Sequence, residues 1–143
     1  TMIKFFNKAE EDQIIAAIVE AENQTSGEVR VHLEDNCKGD ILAAATRTFG
    51  KLKMHKTAAR NGVLIFLAPE RKEFAIIGDE GIDACVGKYF WASQLGLMQQ
   101  DFKKGEFAAG ICAAIAEIGK KLKVHFPYQT DDVNELPDDI SYG

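Results

Sequence analysis

Two apolar runs, Gly62-Val63-Leu64-Ile65-Phe66-Leu67-Ala68 and Phe74-Ala75-Ile76-Ile77, constrain this chain more than any other feature, because only the short polar turn Pro69-Glu70-Arg71-Lys72 joins them. Runs of this length without polar alternation read as buried strands. A connection this short makes the pair an antiparallel hairpin. The remaining elements have to be arranged around that hairpin.

Upstream, Asn7 and Glu10 have the spacing of a capping box, and Ile14, Ile15, Ile18 and Val19 recur at helical intervals until Ser26-Gly27, which predicts a helix over about 8–23. Val29, Val31 and Leu33 then alternate with Arg30, His32 and Glu34, the period of a half-buried strand. Asp40 caps a second helix with Ile41, Leu42, Ala45, Phe49 and Leu52 on one face; Arg47, Lys51, Lys53 and Lys56 form its solvated side. Downstream, helices are expected over about 84–103 and 106–124, the second carrying Phe107, Ile111, Ala114, Ile115, Ile118 and Leu122 in register before Pro127. The expected order is helix, strand, helix, strand, strand, helix, helix, an α/β fold with a small mixed sheet.

Connectivity then decides which side chains meet. A helical crossover makes the first two strands parallel, and the hairpin makes the third antiparallel to the second. The start of the first strand (Glu28), the start of the second (Arg60, Asn61) and the end of the third (Asp79, Glu80, Asp83) therefore share one edge of the sheet. Ile76-Ile77-Gly78-Asp79-Glu80-Gly81-Ile82-Asp83 runs from an apolar strand into an acidic loop, and crowded carboxylates repel unless a cation, a base or a proton relieves them.

A hard divalent ion needs oxygen ligands from several segments, and Glu28, Asn61, Asp79 and Asp83, with Glu80 nearby and loop carbonyls around Gly78 and Gly81, form such a set. The structural alternative is that Asp79 or Asp83 caps the next helix while Glu28 pairs with Arg60 or Arg30. Asp101 and Glu106, at the junction of the last two helices, are further candidates for the metal edge. Their default role is at the helix ends around Gly105. His32, His55 and His125 are scattered and lack zinc spacing, and no GxSxG, P-loop or CxxC occurs. Tyr89, Phe90 and Trp91 read as core packing or as the wall of a pocket.

Charge narrows the partners. The net charge of −5 comes from the end of the chain, where Asp131, Asp132, Glu135, Asp138 and Asp139 face no Lys or Arg; without them 17 acids balance 17 bases. The body of the protein, residues 1–126, thus has little electrostatic pull on nucleic acid or anionic lipid, and residues 127–143 form an acidic tail pinned, if at all, by Leu136, Ile140 or Tyr142. Three cysteines, an odd number with no paired spacing, suit free thiols in a cytoplasmic protein. No stretch reaches the roughly 20 apolar residues of a membrane span.

Several segments, Thr25-Ser26-Gly27-Glu28-Val29-Arg30-Val31, Arg60-Asn61-Gly62-Val63-Leu64-Ile65, Phe74 through Asp83, and Phe102-Lys103-Lys104-Gly105-Glu106-Phe107, occur in the order found in the TPM domain family, which the chain resembles over about residues 8–126. That family includes thylakoid acid-phosphatase-like proteins. The resemblance implies an α/β/α sandwich and an acidic edge able to hold Ca²⁺ or another divalent ion such as Mg²⁺. The leading expectation is a stand-alone soluble domain binding a divalent cation, most simply Ca²⁺, at Glu28, Asn61, Asp79 and Asp83. One rival is a metal-assisted phosphomonoesterase with Arg60 on the phosphate and an Asp as base or nucleophile. The other is a metal-free docking module for an unidentified protein partner.

Overall fold

The computed structural model describes residues 5–128 and 140–143. Helix α1 (Lys8–Glu22) begins with the capping box: the Asn7 side chain accepts from the Glu10 amide at 2.8 Å and the Glu10 carboxylate accepts from the Asn7 amide at 3.0 Å. Strand β1 (Glu28–Leu33) leads into α2 (Ile41–Lys51), capped by Asp40 as its sequence predicts, and a single 3₁₀ turn, Met54–Lys56, precedes β2 (Gly62–Ala68). Strand β3 (Glu73–Gly78) completes the hairpin; α3 (Glu80–Val86), α4 (Lys88–Lys103), α5 (Phe107–His125) and β4 (Ile140–Tyr142) follow.

The sheet order is β3-β2-β1-β4, with β1 parallel to both β2 and β4 and β3 antiparallel to β2. Every residue of β2 is buried, as its uninterrupted apolar run requires. Its side chains alternate between two cores. Val63, Ile65 and Leu67 join Val29, Val31 and Leu33 against Ile14 and Ile18 of α1, Met98 of α4 and Ile111, Ile115 and Ile118 of α5. Leu64, Phe66 and Ala68 meet Ala44, Ala45 and Phe49 of α2 together with Met54 and Ala75. One helix on one face and several on the other make an α/β/α sandwich.

Two expectations need correction. The helix predicted over 84–103 starts earlier and is two helices, because Gly87 takes φ +78°, a left-handed conformation that ends α3 and turns the chain into α4. The acidic segment is accordingly not an open loop. Asp79 is the N-cap of α3, and Glu80 through Asp83 form its first turn. The end of the chain also contributes a strand that no pattern announced: Ile140, Ser141 and Tyr142 pair with Val31, His32 and Leu33. Ile140 is buried, so two of the three expected pins, Ile140 and Tyr142, do anchor to the sheet, while Leu136 lies outside the described residues.

Candidate functional site

The register places the start of β1 beside the start of β2, Glu28 opposite Gly62, and the end of β3 on the other side of the same β2 start, Gly78 opposite Val63. Backbone hydrogen bonds tie the three segments: the Glu28 amide donates to the Asn61 carbonyl (3.4 Å), and the Asp79 amide donates to the Gly62 carbonyl (2.9 Å). Glu28, Asn61 and Asp79 thus gather on one edge, and all three are buried, at 2%, 1% and 6% exposure. Polar groups this deep have to be satisfied by partners or by a ligand.

Arg60 supplies much of that satisfaction for Asp79. Its Nε donates to one carboxylate oxygen at 2.7 Å and its Nη2 to the other at 2.8 Å, while Nη1 reaches Glu80 at 3.2 Å. This fork-to-fork geometry is the strong form of the Arg–carboxylate pair. The hydrogen bond and charge of Asp79 raise the Arg60 pKa further, so the guanidinium is a permanent counter-charge. Arg60, just ahead of β2, sits at φ +52°, outside the usual range for a side-chain-bearing residue. The turn holds it there. The Arg60 amide donates to the Thr57 carbonyl (3.3 Å), and the Arg60 carbonyl accepts from the Gly81 amide (2.8 Å). Gly81 has no alternative at this position, because a Cβ there would lie 2.2 Å from the Ala59 carbonyl oxygen.

Asn61 is positioned by hydroxyl groups. Its amide donates to the buried Thr57 hydroxyl (3.3 Å) and its side-chain nitrogen to the Ser26 hydroxyl (3.3 Å). The carbonyl oxygen of the same side chain is buried and accepts no hydrogen bond among the described residues. Ser26 is fixed in turn by its amide, which donates to the Phe126 carbonyl (3.0 Å), and the neighbouring Thr25 hydroxyl donates to the Leu122 carbonyl (3.0 Å). Sequence reasoning passed over Thr57 and Ser26; their signal is a hydroxyl residue placed just ahead of each strand start.

The outer carboxylates are arranged differently. Asp83 is exposed and accepts from Trp91 Nε1 at 2.8 Å. Trp91 packs so closely over Gly78 that a Cβ there would meet its ring at 2.2 Å, whereas Tyr89 is exposed and Phe90 packs against the main core, so of the aromatic cluster Trp91 is the residue shown at this edge. The expected loop carbonyls are engaged in α3, where the Asp79 carbonyl accepts from the Asp83 amide (2.9 Å) and the Gly81 carbonyl from the Cys85 thiol (3.4 Å).

Asp101 and Glu106 do not approach this edge. Phe102, beside Asp101, packs its ring 4.5 Å from that of Phe74, at the opposite end of β3 from Asp79. The five residue steps from Phe74 to Asp79, at about 3.3 Å each, put that end roughly 17 Å away. The two acids bracket the α4–α5 junction, where the Glu106 amide donates to the Asp101 carbonyl at 3.0 Å. Among the described residues no three His, Cys, Asp or Glu side chains form a group that could hold a metal ion. A cation at the β1–β2–β3 edge would therefore need the neutral amide oxygen of Asn61 as well as carboxylates.

Comparison with the curated proteins finds no match. Among solved structures, the BA42 protein of the psychrophilic bacterium Bizionia argentinensis, determined by NMR, is 42% identical to this chain, covers 100% of it with 99% of its own length, and superposes with a TM-score of 0.91. The N-terminal domain of the cg2496 protein from Corynebacterium glutamicum is 14% identical over 92% of this chain and 82% of its own, with a TM-score of 0.67, a likeness of fold alone. Residues 2–121 match the TPM domain, and with this extent of agreement in sequence and architecture the chain belongs to the TPM domain family.

Proposed function

We propose that this TPM domain captures a divalent cation, Ca²⁺ by preference, at the edge formed by Glu28, Asn61 and Asp79, with Asp83 and Glu80 at its rim. The observation that carries the reading is the Asn61 side-chain oxygen, buried without a donor among the described residues, on the same sheet edge as the buried residues Glu28 and Asp79. A buried amide oxygen without a donor costs about 1–3 kcal/mol, a cost that a hard cation ligated by oxygen removes. Ser26 and Thr57 orient the amide, and Trp91 covers the flank above Gly78.

Arg60 stands in for the ion when none is bound. Asp79 can face a metal only as the guanidinium leaves it, and Arg60 is two-fifths exposed and able to swing toward solvent. Both Asp79 oxygens are engaged by Arg60, and one also accepts from the Glu80 amide, which leaves this carboxylate poorly placed as a phosphatase nucleophile. The phosphomonoesterase reading ranks second for that reason. A cytoplasmic site of action fits the three free cysteines, Cys37, Cys85 and Cys112, and no described helix is long and apolar enough to cross a membrane.

Calcium titration followed by calorimetry and amide chemical shifts tests the reading. Saturable binding with shifts centred on residues 26–28, 60–62 and 79–83 is expected, and Asn61→Leu, close in size and equal in charge, should weaken it at least tenfold. Absence of binding at millimolar calcium would remove the cation reading and leave the acidic edge as a protein-docking surface.

A further inference from the structure

At the opposite end of the sheet, between the β2–β3 turn and the α4–α5 junction, lies a cavity of about 540 Å³ that opens to solvent. Ligand pockets typically span about 300–1,000 Å³. Its walls are aromatic. Phe5 meets Phe107 at 4.8 Å between ring centroids, Phe107 meets Phe102 at 5.3 Å, and Phe102 meets Phe74 at 4.5 Å. Only Phe102 of the four is closed off from solvent; the other rings are half-buried.

Two lysines, Lys72 and Lys103, line the same cavity, and both are exposed. Lys72 belongs to a pinned turn: it sits at φ +56°, its amide donates to the Pro69 carbonyl (3.1 Å), and the Glu70 amide donates to Asp35 (2.8 Å). The Arg71 guanidinium anchors the same turn on the Cys37 and Gly39 carbonyls, at 3.1 and 2.7 Å. A left-handed lysine persists only where its surroundings over-determine it. Lys103 is the last residue of α4. Among the described residues neither ammonium is paired with a carboxylate.

We propose that this cavity binds a small amphipathic anion, a flat or aliphatic body with one acid group, the body entering among the four phenylalanines and the acid meeting Lys72 and Lys103. Burial of the apolar body supplies the attraction, and the two lysines select for an anionic head over a neutral one. The site is independent of the cation edge, which lies a strand length away.

The probe is 8-anilinonaphthalene-1-sulfonate, compared with its uncharged counterpart N-phenyl-1-naphthylamine, on the full chain. Saturable sulfonate binding is expected, with amide shifts confined to residues 69–74 and 99–107. K72E combined with K103E, both at exposed positions, should weaken the sulfonate at least tenfold and the neutral probe less than twofold. Gln99→Trp, placed at the exposed cavity wall, should weaken both probes. Shifts elsewhere, sulfonate binding untouched by the lysine pair, or both probes untouched by Gln99→Trp would overturn the proposal.

Discussion

Arg60 and His32 show how single residues couple stability to ligands and pH. If Asp79 takes a cation as proposed, Arg60 is its competitor, and Arg60→Gln should tighten calcium binding about tenfold, or ~1.4 kcal/mol, in the same calorimetric titration. The substitution also leaves a buried carboxylate without its fork, and a urea melt without calcium should show a lowered midpoint, a loss limited because the guanidinium is partly exposed. His32 is buried against Phe66; its Nε2 lies 3.0 Å from Glu34 and its Nδ1 2.7 Å from the Ser141 hydroxyl. A carboxylate can only accept, so the neutral ring carries its proton on Nε2 and takes the Ser141 proton on Nδ1. Burial lowers the His32 pKa, Arg30 and Lys51 add to the lowering, and Glu34 opposes it. The unfolded chain then takes up the proton first, near pH 6.5. Stability present above about pH 6.5 should fall as the pH drops through the folded value, and His32→Asn should flatten that part of the curve in denaturation midpoints measured from pH 8 to 5.

Among the elements, the glycines of α3 and α4 give opposite expectations. Gly81→Ala drives a methyl into the Ala59 and Arg60 carbonyls and should cost about 2–3 kcal/mol in thermal or urea unfolding. Gly96→Ala, in the middle of α4 with nothing within 4 Å of the new methyl, should stabilise by about 0.5–1 kcal/mol in the same assay. The helices and central strands were legible in the sequence because each carries its own period or cap: Asn7 with Glu10, Asp40, and the unbroken apolar run of β2. The shared edge of Glu28, Asn61 and Asp79 was legible too, since it follows from strand direction alone. The Arg60–Asp79 fork was not, because Arg60 sits in a left-handed turn that no local pattern requires. The early start of α3 was hidden for a related reason: an aspartate ahead of a helix reads equally as a cap or as a ligand. Strand β4 is three residues long, too short for alternation to register.

For the whole molecule, β4 closes one side of the sheet by covering β1. Removing residues 140–143 would withdraw buried Ile140 and expose the outer hydrogen-bonding groups of β1, with a loss of about 2 kcal/mol and concentration-dependent self-association on gel filtration. Calcium at 100 times its dissociation constant should instead raise stability by about 2.7 kcal/mol, read as an upward shift in thermal midpoint that Asn61→Leu abolishes. Because β4 runs parallel to β1, the terminal Gly143 amide reaches the Leu33 carbonyl at 2.8 Å, at the pole away from Asp79. A dye, a surface tether or a fused module attached after Gly143 would therefore leave the acidic pole facing outward while crowding the aromatic pole instead.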